Sequence, residues 1–360
     1  MDKSQLPSDL AHAGKHFIIG LEKSVSLTEH DEQLLSVLRP AGIILFRENF
    51  RLDVPYEDGL TCLRDLIDRA RACVGRKTLL ISMDHEGGAV FRPPPPITNF
   101  GPAAKWAPRS AEVGAAMGVE LRSLGINLNY APVVDIHTNA ANPVIGNRAF
   151  GPTAEIVTGS SRNFLLALES EGVLGCPKHF PGHGDTNVDS HYGLPIVRRS
   201  LEELRQRELL PFGAMVEAGA KIIMTAHIFY PVIDTENPAT MSRLFLNGVL
   251  RNELGFEGVI TTDDVGMGAV SRLFEEPGAA TVALQSGCDL IMMSAHWTDT
   301  SRCLGLAQDL LDSLKNERLD PQIFEAAQKR IDALLVAAPV HTVGTLPASV
   351  FAAHRAIVAM

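Results

Sequence analysis

The chain has 360 residues, 46% of them hydrophobic and 21% charged, which is typical of a globular protein with a large core and excludes a disordered one. The 42 acidic residues outnumber the 32 Lys and Arg, and the formal net charge of -10 argues against nucleic acid as a partner. No apolar run reaches the roughly 20 residues of a membrane-spanning helix, and the first residues lack a signal-peptide pattern. A cytoplasmic protein without a membrane partner is therefore expected.

Short apolar runs alternate with longer amphipathic stretches, the pattern expected of parallel strands joined by crossover helices. The predicted strands are 16–21, 42–46, 78–83, 127–133, 175–178, 221–226, 258–262 and 289–293. Eight such units predict an α/β protein with a (β/α)8 TIM barrel. A doubly wound open sheet stays as the alternative, because periodicity cannot show whether a sheet closes.

Helix-start signals between the strands support this organisation. They are Thr28 followed by Asp31, Ser110 before an Ala- and Glu-rich run, and Ser200 followed by Glu203. Residues 1–337 are predicted to form a single catalytic barrel domain. Residues 338–360 are too few for another domain and are interpreted as a C-terminal tail, for which a docked helix is one form.

Polar residues stand at the carboxyl ends of several predicted strands, where a barrel places its chemistry. They are Asp84, Asp135, Lys178 with His179, His227, and Asp263 with Asp264. One charged residue after a strand is usually only its first solvated position. Because strand ends meet at one mouth of a barrel, the whole set predicts a polar site there.

Asp263 and Asp264 are adjacent, so in a continuing strand their side chains point to opposite faces and only one enters the mouth. A carboxylate at this position could attack an anomeric carbon or cap the helix that comes after it. The residue type alone does not separate these two roles.

Residues 177–195 come after the fifth predicted strand and are too rich in Gly, Pro, His and Asp to form a helix or a strand. Asp189 and His191 are two apart, so in an extended loop the carboxylate can hold one imidazole nitrogen and leave the other free as a proton donor or acceptor. The rival interpretation is a metal-dependent hydrolase with ligands His179, His183, Asp185 and His191.

The loop sequence resembles the signature of the bacterial β-N-acetylglucosaminidases, or β-N-acetylhexosaminidases, of glycoside hydrolase family 3. The similar stretch reads KHFPGHGDT over 178–186 and then Asp189-Ser190-His191. The resemblance continues in family order through DHEGG at 84–88, NYAPVVD at 129–135, GNR at 146–148, TAH at 225–227 and TDDVGM at 262–267. Relatives usually have a Gln-like residue at His85 and Arg at Ala89.

The resemblance implies a single-domain retaining exo-β-N-acetylglucosaminidase. It makes Asp263 the nucleophile and His191 the general acid/base, held by Asp189. It assigns contacts with the terminal sugar to Asp84, Arg92, Arg148, Lys178 and His179. It implies no cofactor and no metal.

The substrate implied is a small carbohydrate with terminal β-linked N-acetylglucosamine, such as a GlcNAc-anhydroMurNAc fragment of peptidoglycan recycling. Chitooligosaccharides and β-glucosides are alternatives within the family, and a non-catalytic sugar-binding protein is one outside it. The sequence leaves open whether water or phosphate accepts the sugar, and it does not give the oligomeric state.

Overall fold

The computed structural model describes residues 10–359, and its centre is an eight-stranded parallel sheet. The strands are β1 (Phe17–Gly20), β2 (Gly42–Ile44), β3 (Leu80–Met83), β4 (Leu128–Asn129), β5 (Leu174–Gly175), β6 (Ile222–Met224), β7 (Val259–Asp264) and β8 (Leu290–Met293). Consecutive strands pair from β1 to β5 and from β6 to β8, and β8 pairs with β1. All eight predicted strands are present.

The sheet closes between β5 and β6 just beyond the end of β5. Phe180 forms a parallel bridge with Thr225, and the Met224 amide donates to the Pro177 carbonyl at 3.0 Å. The open-sheet alternative is therefore wrong, and the barrel is confirmed. Strands β4 and β5 are shorter than predicted because Pro132 and Pro177 have no N–H to donate to the ladder.

Helices surround the barrel. They are α1 (Leu10–Gly14), α2 (Glu29–Leu38), α3 (Tyr56–Val74), α4 (Ala103–Trp106), α5 (Ser110–Ser123), α6 (Ala154–Ser170), α7 (Leu201–Gln206), α8 (Leu209–Glu217), the π-helix Leu244–Glu253, α9 (Ala279–Gln285), α10 (Arg302–Lys315), α11 (Pro321–Ala337) and α12 (Ala348–Ala359). None of the helices in residues 10–359 has the length and apolarity needed to span a membrane.

Two of the three predicted helix starts have the expected caps. Thr28 with Asp31 and Ser200 with Glu203 each form a complete capping box. Ser110 is instead the first residue of α5, whose start has no side-chain cap.

The barrel interior is filled by side chains rather than open. Inward-facing residues such as Ile18, Leu80 and Tyr130 form one buried cluster, which α11 joins through Leu334 and Leu335. Since α11 also binds the first residue of the eighth predicted strand through the Arg330–Asp289 ion pair, it covers the amino-terminal end of the barrel. The carboxyl-terminal end remains for a site.

The last helix packs on the barrel's outer layer. Phe351 of α12 is buried and meets Tyr56 edge to face, and His354 Nδ1 lies 2.7 Å from Glu120 Oε1. The division of the chain into a catalytic domain, residues 1–337, and a C-terminal tail, residues 338–360, stays a prediction. Residues 1–9, on which the signal-peptide expectation falls, and residue 360 lie outside the described residues.

Candidate active site

A polar cavity of about 130 Å³ lies at the carboxyl ends of the barrel strands. Seven of the eight site residues expected from the sequence line it: Asp84, Arg92, Arg148, Lys178, His179, His191 and Asp263. The eighth, Asp189, stands behind His191. Residues far apart in the chain are thus brought together by the ends of β3, β5 and β7 and by the loops that come after them.

Asp263, in β7, is partly accessible in this cavity, and its Oδ1 accepts from the Asp264 amide at 2.7 Å. Burial tends to raise the pKa of its carboxyl, but His179, His227 and Lys178 hold that pKa below the ordinary value. Asp263 is therefore ionised at neutral pH, which is the state that a nucleophile needs.

The Asp264 carboxylate has different hydrogen-bond partners. Its carboxylate accepts from the Gly266 amide at 2.8 Å, from the Ser294 amide at 3.1 Å and from the Ser294 hydroxyl. Burial raises the pKa of this carboxyl to about 7. Asp264 thus ties β7 to the end of β8. The two adjacent carboxyls differ in their hydrogen bonds and in the direction of their pKa shifts, a difference that the residue types alone do not predict.

Four charged side chains form a chain of ion pairs along one wall. Lys178 Nζ lies 2.7 Å from both Asp84 Oδ1 and Glu86 Oε1, and Arg148 binds Glu86 through two nitrogens at 2.7 and 2.8 Å. Burial works against the charge of Glu86, but Arg148 and Lys178 hold its pKa well below the ordinary value. Glu86 was not among the predicted site residues, although it is only two residues after Asp84 and binds the same Lys178 ammonium.

His179 is oriented by a buried carboxylate. Its Nδ1 lies 2.7 Å from Asp135 Oδ2, while Asp135 Oδ1 accepts from the His183 amide at 2.6 Å. Burial raises the pKa of Asp135, but His179 and His183 lower it below the ordinary value. Because an ionised carboxylate only accepts, Nδ1 of His179 is the protonated nitrogen and Nε2 is left for a ligand.

His191 and Asp189 form the pair expected from their spacing. His191 Nδ1 lies 2.6 Å from Asp189 Oδ1, and the His191 amide donates to the same oxygen at 2.9 Å. Although its partial burial acts the other way, hydrogen bonds from His191 lower the pKa of the Asp189 carboxyl. Nδ1 therefore donates to Asp189, and Nε2 is the atom that can exchange a proton with a substrate.

The loop that carries His191 is held against the residues after β7. The Gly268 amide donates to the His191 carbonyl and the Ala269 amide to the Ser190 carbonyl, each at 3.1 Å. A Cβ atom on Gly268 would come within 2.8 Å of the His191 carbonyl oxygen, closer than real Cβ contacts. Glycine is needed there for the close approach of the two backbones.

The three glycines of this loop differ in whether the backbone conformation or a close contact requires a glycine. Gly182 has φ of +132°, and a Cβ on Gly184 would lie 1.6 Å from the Ile136 carbonyl oxygen, so both are explained by the static structure. Gly193 has neither constraint, since a Cβ would meet only Val188 at 3.7 Å. A positive φ or a close approach therefore explains Gly182 and Gly184 but not Gly193.

With His191 as the general acid/base that the resemblance implies, we expect Gly268→Ala to push its backbone away. We expect kcat/KM to fall by about 10- to 100-fold on substrates with poor leaving groups, because small displacements of a catalytic group are costly. Steady-state kinetics measures this. Gly193→Ala is the matched control and should stay near wild type on the same substrates. Equal losses in both variants would contradict a contact specific to Gly268.

His85 supports the short hairpin of His85–Gly87 and Val90–Phe91 that carries Glu86. It is fully buried, stacks on Phe100 and meets Phe91 edge to face, and burial lowers its pKa from 6.5 to about 3. Since the unfolded chain binds a proton below pH 6.5 and the folded chain does not until about pH 3, this residue makes stability fall as pH drops through that window.

We therefore expect His85→Gln, which cannot titrate, to reduce the loss of stability between pH 7 and pH 5 by about 2 kcal/mol. Urea unfolding at both pH values measures it, and the difference between pH values cancels any pH-independent packing change. His30→Gln, at a histidine that is not buried, is the control. An unchanged difference in His85→Gln would rule out a buried neutral imidazole.

The four residues of the rival metal site have separate partners. His183 contacts Thr186 Oγ1 at 2.8 Å and Ser190 Oγ at 3.1 Å, and Asp185 accepts from Arg199 at 2.9 Å. His179 and His191 are bound to their own carboxylates. Within residues 10–359, no three His, Cys, Asp or Glu side chains are grouped so that they could hold a metal ion.

An aromatic wall completes the cavity on the side of His191. It consists of Phe46 after β2 and His296 with Trp297 after β8. The sequence analysis missed these residues, because nothing in their spacing marks them beyond their position after strand ends.

The model of the Glycosyl hydrolase family 3 N terminal domain matches residues 15–334. The chain belongs to glycosyl hydrolase family 3. Membership confirms the resemblance, the barrel and the expected enzyme class of glycoside hydrolase. The alternative of a non-catalytic sugar-binding protein has no support from the relatives that the chain matches, which are named as hydrolases.

Family 3 relatives match most of this chain. The β-hexosaminidase of Thioalkalivibrio sulfidiphilus is 35% identical over 308 residues, 82% of this chain and 86% of that protein. β-Hexosaminidase A of Pseudoalteromonas piscicida is 34% identical over 331 residues, and the match covers 85% of this chain. It covers 55% of that protein, so this chain spans about half the length of this longer relative.

Solved family 3 structures share the fold. A β-N-acetylglucosaminidase from Paenibacillus sp. str. FPU-7 has a TM-score of 0.85 at 31% identity, covering 96% of this chain and 66% of that one. NagZ from Neisseria gonorrhoeae, in complex with N-trifluoroacetyl-D-glucosamine, has a TM-score of 0.74 at 29% identity and covers 96% and 97% of the two chains.

Proposed function

We propose that the chain is a retaining exo-β-N-acetylglucosaminidase that uses Asp263 as nucleophile and His191 as general acid/base. The observation that carries the proposal is that an ionised carboxylate and a carboxylate-held imidazole line the same small cavity. Retaining glycosidases need these two functions on the scissile bond.

In the first step Asp263 attacks the anomeric carbon while His191 Nε2 gives its proton to the departing oxygen, which breaks the glycosidic bond and leaves a covalent glycosyl-enzyme. In the second step neutral His191 takes a proton from water as the water displaces Asp263. Two inversions retain the β configuration. A neutral imidazole adds no negative charge beside Asp263, unlike a second carboxylate.

The ion-paired wall suits an exo enzyme. Arg148 and Lys178 together balance the charges of Glu86 and Asp84, and Lys178 and Asp84 also line the cavity, where they can bind sugar hydroxyls. Arg92 lines the same cavity, and its guanidinium offers further N–H donors. The relatives' names, and the N-acylated glucosamine in the Neisseria complex, support N-acetylglucosamine as the terminal sugar.

The proposal extends to a cytoplasmic enzyme of peptidoglycan recycling that acts on GlcNAc-anhydroMurNAc fragments. Comparing kcat/KM on this disaccharide and on N,N'-diacetylchitobiose tests the substrate, and a higher value for the chitin fragment would contradict it. Assays with and without phosphate identify the acceptor, since glycosyl phosphate forms only if phosphate attacks the glycosyl-enzyme.

Trapping the glycosyl-enzyme tests the mechanism. A 5-fluoro glycosyl fluoride that keeps the 2-acetamido group should leave a sugar on Asp263, located by peptide mass spectrometry. A sugar on Asp264 would refute the choice of nucleophile. Inhibition by a cyclic thiazoline without any adduct would instead indicate that the substrate's own acetamide attacks.

A further inference from the structure

Trp297 stands beside the proton donor at the edge of the cavity. Its ring centre is 5.0 Å from that of His191, with the planes at 38°. It also meets His296 edge to face at 4.8 Å, and His296 stacks on Phe46 at 5.4 Å. The indole therefore contacts two other rings, while 38% of the residue is exposed.

The same two residues border a second space. His296 and Trp297 line both the active-site cavity and an open groove of about 610 Å³. The groove lies between the loops after β1 and β8 and is polar, with Lys23, His30 and Asp299 along it. Trp297 thus lies on the boundary between the active-site cavity and the wider groove.

Proton donation by His191 determines which part of a substrate lies next to Trp297. A general acid must lie within hydrogen-bond distance of the oxygen it protonates, so the leaving group departs beside His191 Nε2. Trp297 lies against His191 and is 38% exposed. The ring attached to the departing oxygen therefore lies beside the exposed indole of Trp297.

We propose that Trp297 is the binding platform for the first sugar ring of the leaving group, and that the adjoining groove holds the remainder of the leaving group beyond that ring. The C–H face of a pyranose packs well on an indole, and a large rigid aromatic gives contact area at low entropic cost. The inference rests on the proposed function and adds to it the residue that selects a glycan leaving group over a small one.

A different role would be to hold His191 in place, as the contact between the two rings also allows. Three substrates with the same N-acetylglucosaminyl group separate the roles. N,N'-Diacetylchitobiose needs a proton and has a sugar ring as leaving group, the methyl glycoside needs a proton but has no ring, and the glycosyl fluoride needs neither.

We expect Trp297→Ala to lower kcat/KM on diacetylchitobiose by about 10-fold or more and to change the methyl glycoside and fluoride less than about 2-fold. Trp297→Phe, which keeps an aromatic face, should recover most of the loss. Thermal unfolding checks that each variant is folded.

Equal losses on diacetylchitobiose and the methyl glycoside would overturn the platform and make Trp297 a positioning residue for His191. No loss on any substrate would also overturn it. Turnover of none of the three by the wild-type enzyme would refute the proposed function and the platform together, whereas the first two outcomes leave the proposed function standing.

Discussion

Asp263→Ala is expected to lower kcat by on the order of 10⁴- to 10⁶-fold on every N-acetylglucosaminide, because no step of the double displacement proceeds without the nucleophile. The loss should be the same for good and poor leaving groups. Azide, a small anion able to enter the space left by the carboxylate, should restore turnover and give the α-glycosyl azide by a single inversion. Product analysis by NMR measures both the rate and the configuration.

Asp264→Ala is the matched control for this experiment. The Asp264 carboxylate is engaged by Ser294 and Gly266, so its loss should act through the position of β7 and should not be rescued by azide. Azide rescue in the Asp264 variant and none in the Asp263 variant would reverse the assignment of the pair.

His191→Ala is expected to reduce kcat/KM by about 10² to 10⁴-fold on the methyl glycoside and diacetylchitobiose, the usual cost of removing a proton donor. The glycosyl fluoride should lose little in its first step, because fluoride leaves without a proton. Pre-steady-state kinetics on the fluoride separates this step from the slower hydrolysis of the glycosyl-enzyme, in which the base is missing.

Asp189→Asn should give a smaller loss with the same dependence on the leaving group, because it weakens the hold on Nδ1 but leaves the imidazole in place. If His191→Ala lost equally on the fluoride and on the methyl glycoside, the residue would not be the acid. Zinc or chelator should not alter the result in either variant if His191 acts through its proton.

Much of the fold can be predicted from the sequence because its signals are local. Apolar runs located all eight strands, and the Thr28 and Ser200 capping boxes formed as predicted. Closure of the sheet cannot be predicted in this way. It depends on hydrogen bonds between Met224, at the end of β6, and Pro177 and Phe180, beyond the end of β5, and no local pattern specifies that pairing.

For the candidate site too, some residues could be predicted from the sequence and others could not. Strand-end positions predicted that Asp84, Lys178, His179 and Asp263 gather, the Asp189–His191 spacing predicted that pair, and the structure brings them together. Arg92 and Arg148, which also line the cavity, were indicated only by the family resemblance. The sequence did not indicate that Glu86 joins Lys178 to Arg148, because that contact spans three separate loops. Nor did it indicate that Trp297 would lie against His191, since the ring contact is formed only in the folded barrel.

The groups of the site come from different strand ends: Asp263 from β7, Lys178 from the segment after β5, His191 from the long loop, and Trp297 from the loop after β8. With the roles proposed for these residues, substitution of Trp297 can therefore alter which leaving groups are accepted while the groups that bind the terminal sugar stay in place. Donor and aglycone preference can thus diversify independently in a lineage that keeps one catalytic centre.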